Sequence, residues 1–256
     1  MAGAIIGSII RSGMLREDEI AIADTDPKKQ EQYGKAGHPV RTAAGLVTDC
    51  GAIVLAVKPQ QMRGVLSDIA DAMTPDKLLI SIAAGVTAQA VKSAVGFECK
   101  VVLAMPNMPL ALGYGATALA RAEPVTQEEF SFARSIFEAG GITEEIPADK
   151  MNEIIPINGS SPAFLYRFAQ LIADEAQANG IAPGAAMNLF CQAMIGSAKM
   201  LMSAGKSPGE LVKEVCSPGG TTLAGLAAME EHGFDSAVRA GFAACVRRAK
   251  ELADQL

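Results

Sequence analysis

A chain of 256 residues, half of them apolar, can bury one large core or two modest ones. Its 28 acidic against 22 basic residues give a net charge of −6 with Lys and Arg scattered, which argues against nucleic acid or an anionic membrane surface as partner. Short, interrupted apolar runs predict no membrane span, and an N-terminus without a basic region or cleavage site does not read as a signal peptide, so the expected location is cytoplasmic.

Residues 1–10 are small and apolar and stop at Ser12-Gly13 like a short helix. A strand-like run at 19–23 closes on Asp24-Thr25-Asp26-Pro27, and a charged helical stretch follows at 27–35. Compact apolar runs at 52–57, 78–82 and 100–104 alternate with helix-like segments at 61–73 and 87–95, a pattern that predicts a parallel sheet covered on both faces. Each run ends in a turn: Lys58-Pro59-Gln60, Ala83-Ala84-Gly85 and Met105-Pro106-Asn107-Met108-Pro109. In open α/β sheets the ligand crevice lies at the carboxyl ends of the strands, where these turns fall. Pro and Gly also simply punctuate strand ends, which would explain any one turn but less readily all three.

From about residue 149 the pattern becomes helical, at 161–179, 182–205, 221–232 and 234–256. The stretch 185–204 carries Met187, Leu189, Phe190, Met194, Ile195, Met200, Leu201 and Met202 with Lys199 as its one charge. A helix so apolar around its circumference needs cover on most sides, either from a second subunit or from a Met-rich monomer core.

The segment Cys216-Ser217-Pro218-Gly219-Gly220-Thr221-Thr222 opens that third helical stretch. A proline-stopped turn with two glycines aims backbone N–H groups from the positive end of a helix, which suits a small carboxylate. It equally reads as an ordinary Ser-Pro helix start. The five cysteines, Cys50, Cys99, Cys191, Cys216 and Cys245, contain no CxxC pair and look like reduced thiols filling apolar positions; Cys216 abuts the Ser-Pro-Gly-Gly turn, where a nucleophile is the alternative, but nothing nearby supplies a base and packing is the expectation. The two histidines, His38 and His232, are isolated, so a mechanism built on a His acid, a metal or a triad has little to stand on.

Six segments in order carry a family resemblance: Met1-Ala2-Gly3-Ala4-Ile5-Ile6-Gly7, Leu55-Ala56-Val57-Lys58-Pro59-Gln60, Ser81-Ile82-Ala83-Ala84-Gly85-Val86, Met105-Pro106-Asn107-Met108-Pro109, Gly159-Ser160-Ser161-Pro162-Ala163-Phe164 and Ser217-Pro218-Gly219-Gly220-Thr221-Thr222. Over essentially its whole length the chain resembles pyrroline-5-carboxylate reductase, the proline-forming enzyme. The resemblance implies a Rossmann-type α/β domain at 1–148, then an all-α dimerisation and substrate domain at 149–256, with an active site completed by the dimer mate. It implies NADPH or NADH as cofactor, held by Ala2, Asp24, Thr25, Val57, Lys58, Pro59, Ala83, Ala84, Met105, Pro106 and Asn107. The substrate, 1-pyrroline-5-carboxylate, would bind Ser217, Gly219, Gly220, Thr221 and Thr222, its carboxylate on the main chain near Gly220 and Thr221. Thr222 would take the catalytic position, its hydroxyl on the ring nitrogen. The implied assembly is a homodimer or an oligomer of dimers.

The chain departs from the family pattern in two places. It begins at the Met-Ala of the usual Gly-x-Gly-x-Met-Ala turn, so the first strand and both phosphate-facing glycines are absent from it; the expectation is a start placed too far downstream rather than a protein that binds cofactor poorly. Asp24-Thr25-Asp26 stands where the family often has Ser or Asn followed by Arg. An acid there favours NADH, Lys28 and Lys29 could still serve a 2′-phosphate, and the choice stays open. Glu214 and Ala43 are smaller deviations, at positions where an amide or an asparagine is common. The alternatives are a related imine or hydroxy-acid reductase, the latter lacking the lysine it would want where Ser160 and Ser161 stand, or a non-catalytic dimeric scaffold.

Overall fold

The protein is represented by a computed structural model that describes residues 1–253. Helix α1 (Ala2–Arg11) buries Ile5, Ser8 and Ile9 along one face. The expected strand at 19–23 reduces to a 3-10 turn at Glu17–Glu19 and a single parallel bridge between Ile22 and Val40. One bridge does not make a ladder, and among the described residues this run pairs with nothing else. Helix α2 (Pro27–Lys35) follows the expected range, with Asp26 capping it by accepting from the Lys28 N–H.

The sheet begins with β1 (Ala52–Leu55), after a short helix α3 (Ala43–Asp49) that the sequence reading did not anticipate. The order is β1, α4 (Pro59–Ile69), β2 (Leu78–Ser81), α5 (Ala88–Val95), β3 (Lys100–Met105), β4 (Gly115–Ala122), α6 (Gln127–Glu138) and β5 (Gly141–Glu145), and the five strands lie side by side in chain order. β1, β2 and β3 pair in parallel through the crossover helices α4 and α5, as expected. β4, which the sequence reading did not anticipate, runs antiparallel to β3, with Met105 opposite Ala118. Only residues 106–114 join these two strands, too few for a crossover of a dozen or more residues, so the chain must turn back. β5 then pairs parallel to β4 through α6.

Alternate residues of β1 to β4 feed two cores. On one face Ile53, Leu55, Leu79, Val101 and Leu103 pack with Met62 and Leu66 of α4 and Val91 of α5. On the other, Leu78, Ile80, Val102 and Leu119 pack with Ile5 and Ile9 of α1 and with Phe130 and Phe137 of α6.

Beyond β5 a 3-10 turn at Ala148–Lys150 and a π-helical turn at Ile155–Gly159 lead into α7 (Ser161–Ala178), α8 (Pro183–Ser203), α9 (Pro208–Val215), α10 (Thr221–Glu231) and α11 (Phe234–Ala253). These follow the helical expectation, with α9 added; residues 254–256 of the last expected helix lie outside the described residues. The chain forms two compact units, Met1–Ser160 joined by the end of α11 from Ala244 onward, and Ser161–Ala243. No described helix is long and apolar enough to cross a membrane.

Candidate functional site

The carboxyl ends of β1, β2 and β3 deliver the three expected turns to one edge of the sheet. The first, Val57-Lys58-Pro59, opens α4: Lys58 is its N-cap with no side-chain cap bond, Pro59 stands at N1, and the first turn contains no acid. In the second turn Ala83 is buried in the core and Ala84 is half-buried against it. Gly85 has φ +79, and a Cβ there would stand 2.9 Å from the Ala249 carbonyl oxygen of α11. Gly85 therefore serves the packing of the C-terminal helix. Beneath the turn lies a small recess of about 30 Å³ bordered by Ser81, Ala83, Val86, Leu103, Met105 and Met151.

In the third turn Met105, Pro106 and Asn107 are all buried. The Asn107 side chain, 7 % exposed, accepts from the Ala116 N–H at 3.0 Å and donates to the Asn158 carbonyl at 3.1 Å, so both ends of its amide are engaged by protein. Sequence reasoning missed Asn158. Its Nδ2 donates to the Met105 carbonyl at 2.6 Å and the Ala116 carbonyl at 2.9 Å, tying the end of β3 to β4 and to the π-helical turn. Its Oδ1 is buried without a hydrogen-bond partner. A lone Asn ahead of Gly159 carried no spacing that could have revealed this role.

Ala2 begins α1, which also lacks a side-chain cap and an acid in its first turn. In this unit α2, α3, α5 and α6 are capped by Asp26, Thr42, Thr87 and Thr126, whereas α1 and α4 are not. The helix starts left with free N–H groups are thus those at Ala2 and at Lys58-Pro59, both expected to meet cofactor. Asp24 lies two residues beyond the Ile22 bridge; its carboxylate accepts from the Asp26 N–H at 2.9 Å and from Lys29 Nζ at 3.2 Å. The Asp26 N–H, the larger influence, and Lys29 together hold the Asp24 carboxyl below its ordinary pKa despite some desolvation. Thr25 beside it is exposed. An uncapped helix start after the carboxyl end of β1, with Asp24 following the Ile22 bridge, suits a dinucleotide.

The 217–222 turn belongs to the second unit. Gly220 N–H donates to the Ser217 carbonyl at 2.9 Å, and Pro218 followed by Gly219 at φ +68 has the residue pattern of a type II turn. A side chain on Gly220 would collide with Ser217 Oγ and the Ser217 carbonyl oxygen. Gly220 is the N-cap of α10 and has no side-chain cap to offer. Because its own N–H closes the turn, the helix-start donors left over belong to Thr221, Thr222 and Leu223. The turn and both threonines are exposed except for half-buried Gly220, and the first turn of α10 contains no acid. Glu214 ion-pairs with Lys206.

The histidines are held in structural contacts. His38 is buried, its Nδ1 at 3.1 Å from the Ile20 carbonyl and its ring edge-on to Tyr33; His232 Nδ1 bonds the Ala228 carbonyl at 2.9 Å. Among the described residues no group of three or more His, Cys, Asp or Glu could hold a metal ion.

A Rossmann-like sheet with the open start of α4 at its carboxyl edge, followed by a helical unit, is an architecture suited to a dinucleotide-dependent enzyme. The family described as pyrroline-5-carboxylate reductase dimerisation matches residues 148–252, and that described as NADP oxidoreductase coenzyme F420-dependent matches residues 1–85. The pyrroline-5-carboxylate reductase of Escherichia coli (strain K12) is 34% identical over 256 residues, 98% of this chain and 94% of the relative. That of Methanosarcina acetivorans is 34% identical over 258 residues, 100% and 94% of the two chains. The crystal structure of Plasmodium falciparum pyrroline carboxylate reductase with NADP bound superposes with a TM-score of 0.90 at 27% identity, covering 98% of this chain and 94% of that one. The chain belongs to the pyrroline-5-carboxylate reductase family.

Proposed function

We propose that the protein reduces 1-pyrroline-5-carboxylate to proline with NADPH or NADH. The observation that carries this reading is the Pro218-Gly219-Gly220 turn, whose geometry leaves the N–H groups of Thr221, Thr222 and Leu223 at the start of α10 without a capping side chain. A carboxylate seated there satisfies those donors and meets the positive end of the helix dipole. The Thr222 hydroxyl, exposed one residue further on, then hydrogen-bonds the ring nitrogen.

When bound, a reduced nicotinamide would supply a hydride to the carbon of the C=N bond, which becomes C5 of proline, leaving oxidised cofactor. The nitrogen takes its proton from solvent, so the product is the saturated ring amine and no protein acid is consumed. The chain's own work is positional. Ala2 and Val57-Lys58-Pro59 present free helix starts to the dinucleotide phosphates, while Asp24 and Thr25 meet the adenosine ribose. Ala83 and Ala84 with Met105, Pro106 and Asn107 line the ring's place, and Asn158 keeps the Met105–Asn107 main chain rigid through its bonds to β3 and β4. Ser217 and Gly219 shape the substrate turn, Gly220 by having no side chain.

In this reading residues 1–148 serve the cofactor and 149–256 serve substrate and association, as a homodimer or an oligomer of dimers. The exposed apolar side chains of α7 and α8 support association. Five cysteines without a disulfide among them fit the cytoplasm. Thr222→Ala tests the assignment. Its kcat/KM for the imine should fall by about 100-fold while the KM for cofactor stays within about twofold; unchanged imine kinetics would remove Thr222 from the role.

A further inference from the structure

We infer that the adenosine end of the cofactor site is built for a ribose bearing a free 2′-hydroxyl, so the protein uses NADH in preference to NADPH. The inference rests on the cofactor site proposed above and decides between two nucleotides that differ by one phosphate. Two lysines, Lys28 and Lys29, stand close enough in sequence to neutralise a 2′-phosphate, so the outcome depends on what each of them does in the fold.

Lys29 Nζ lies 3.2 Å from Asp24 Oδ2 and is committed to that carboxylate. The main-chain N–H of Lys28, which a phosphate at the start of α2 would need, is already bonded by Asp26 Oδ1 at 2.9 Å. The helix start that might have received an anion carries its own anion. Asp24 is itself pinned: Oδ1 accepts from the Asp26 N–H, Oδ2 accepts from Lys29, and its carbonyl accepts from Gln30 Nε2 at 2.5 Å. A carboxylate has about four acceptor positions, and these contacts use two. The two that remain suit the paired 2′- and 3′-hydroxyls of a ribose, each of which donates.

A 2′-phosphate would arrive beside two ionised carboxylates with only the Lys28 ammonium uncommitted in this turn. Like charges at such distances cost free energy unless both are paired. Freeing Lys29 to meet the phosphate would break its bond to Asp24 and leave that carboxylate facing the phosphate directly. Burial does not relieve the conflict, because Asp24 is held in its charged form by the groups that pin it.

The test compares the full chain with Asp24→Asn, which keeps an acceptor for the Asp26 N–H while removing the charge and releasing Lys29. Two readouts are taken: kcat/KM for NADH and NADPH with pyrroline-5-carboxylate, and equilibrium binding of ADP-ribose and 2′-phospho-ADP-ribose, which report on the adenosine end without catalysis. The expected result is at least a tenfold preference of the unmodified chain for NADH and for ADP-ribose, and a shift of both ratios by at least tenfold toward the phosphorylated partner in the variant. Equal or better use of the 2′-phosphorylated nucleotides by the unmodified chain, or ratios that Asp24→Asn leaves unmoved, overturns the inference alone. Binding of neither nucleotide overturns the cofactor site together with it.

Discussion

In the first unit Phe130 and Phe137 are wholly buried, whereas in the second Leu189 and Met202 stand 73 % and 78 % exposed. The contrast runs through both regions. The sheet hands its apolar side chains to helices on either face until two cores close around it. In α7 and α8 only Ala169 and Ala186 are buried, while Phe164, Leu165, Leu171, Ile195, Met200 and Leu201 face outward. An apolar surface of that extent on a single chain is a place for another copy. The first unit closes its own cores; the second leaves an apolar face of the kind that homo-oligomerisation covers.

The strongest way to break the contrast is to charge the open face. Leu189→Glu combined with Ile195→Glu should convert the oligomer to monomer in sedimentation equilibrium and remove most activity, while the far-ultraviolet signal of the first unit persists. A variant that stays assembled would show that these side chains are ordinary solvent-facing residues.

Truncating the closed core should cost stability whatever the protein concentration. Phe130→Ala removes a ring packed in the second face of the sheet and flanked by the Arg121 and Arg134 guanidinium groups, each 5.3 Å from its centroid. The expected loss is about 3–5 kcal/mol by denaturant titration, independent of dilution. A concentration-dependent loss would mean that the first unit also leans on a partner.

A smaller effect sharpens the comparison where α11 returns to the first unit. Gly85→Ala places a methyl group 2.9 Å from the Ala249 carbonyl oxygen at a φ of +79, and should destabilise by about 1–3 kcal/mol. Gly64→Ala, in α4 with no atom within 4 Å of the added carbon, should instead gain about 0.5–1 kcal/mol, because helical Gly is entropically costly. Equal effects at the two sites would refute the close approach of α11 to the β2 turn.

Periodicity made much of this architecture legible. The runs that became β1, β2 and β3 are continuous and apolar, because strands buried on both faces tolerate little else. The long helices of the second unit announced themselves by apolar spacing over many turns, whereas the eight-residue α9 did not. β4 escaped notice because Gly115-Ala116-Thr117-Ala118-Leu119-Ala120-Arg121-Ala122 is half alanine, a residue with weak strand preference, and forms a strand by virtue of its neighbours. β5 escaped because an edge strand is short and charged, ending in Glu144 and Glu145, the latter ion-paired with Arg121 and Arg134.

The candidate site divides in the same manner. Turn chemistry, with proline and glycine at strand ends and at the start of α10, is local, so the chain's own order of residues determined where donors could be presented to a ligand. Which donors remain free was decided in three dimensions: Gly220 spends its N–H on Ser217, Asn107 spends its amide on Ala116 and Asn158, and Lys29 spends its charge on Asp24. A hydrogen bond or ion pair joins groups by distance in space, so residues 51 apart in sequence, such as Asn107 and Asn158, acquire their partners only when the chain has folded.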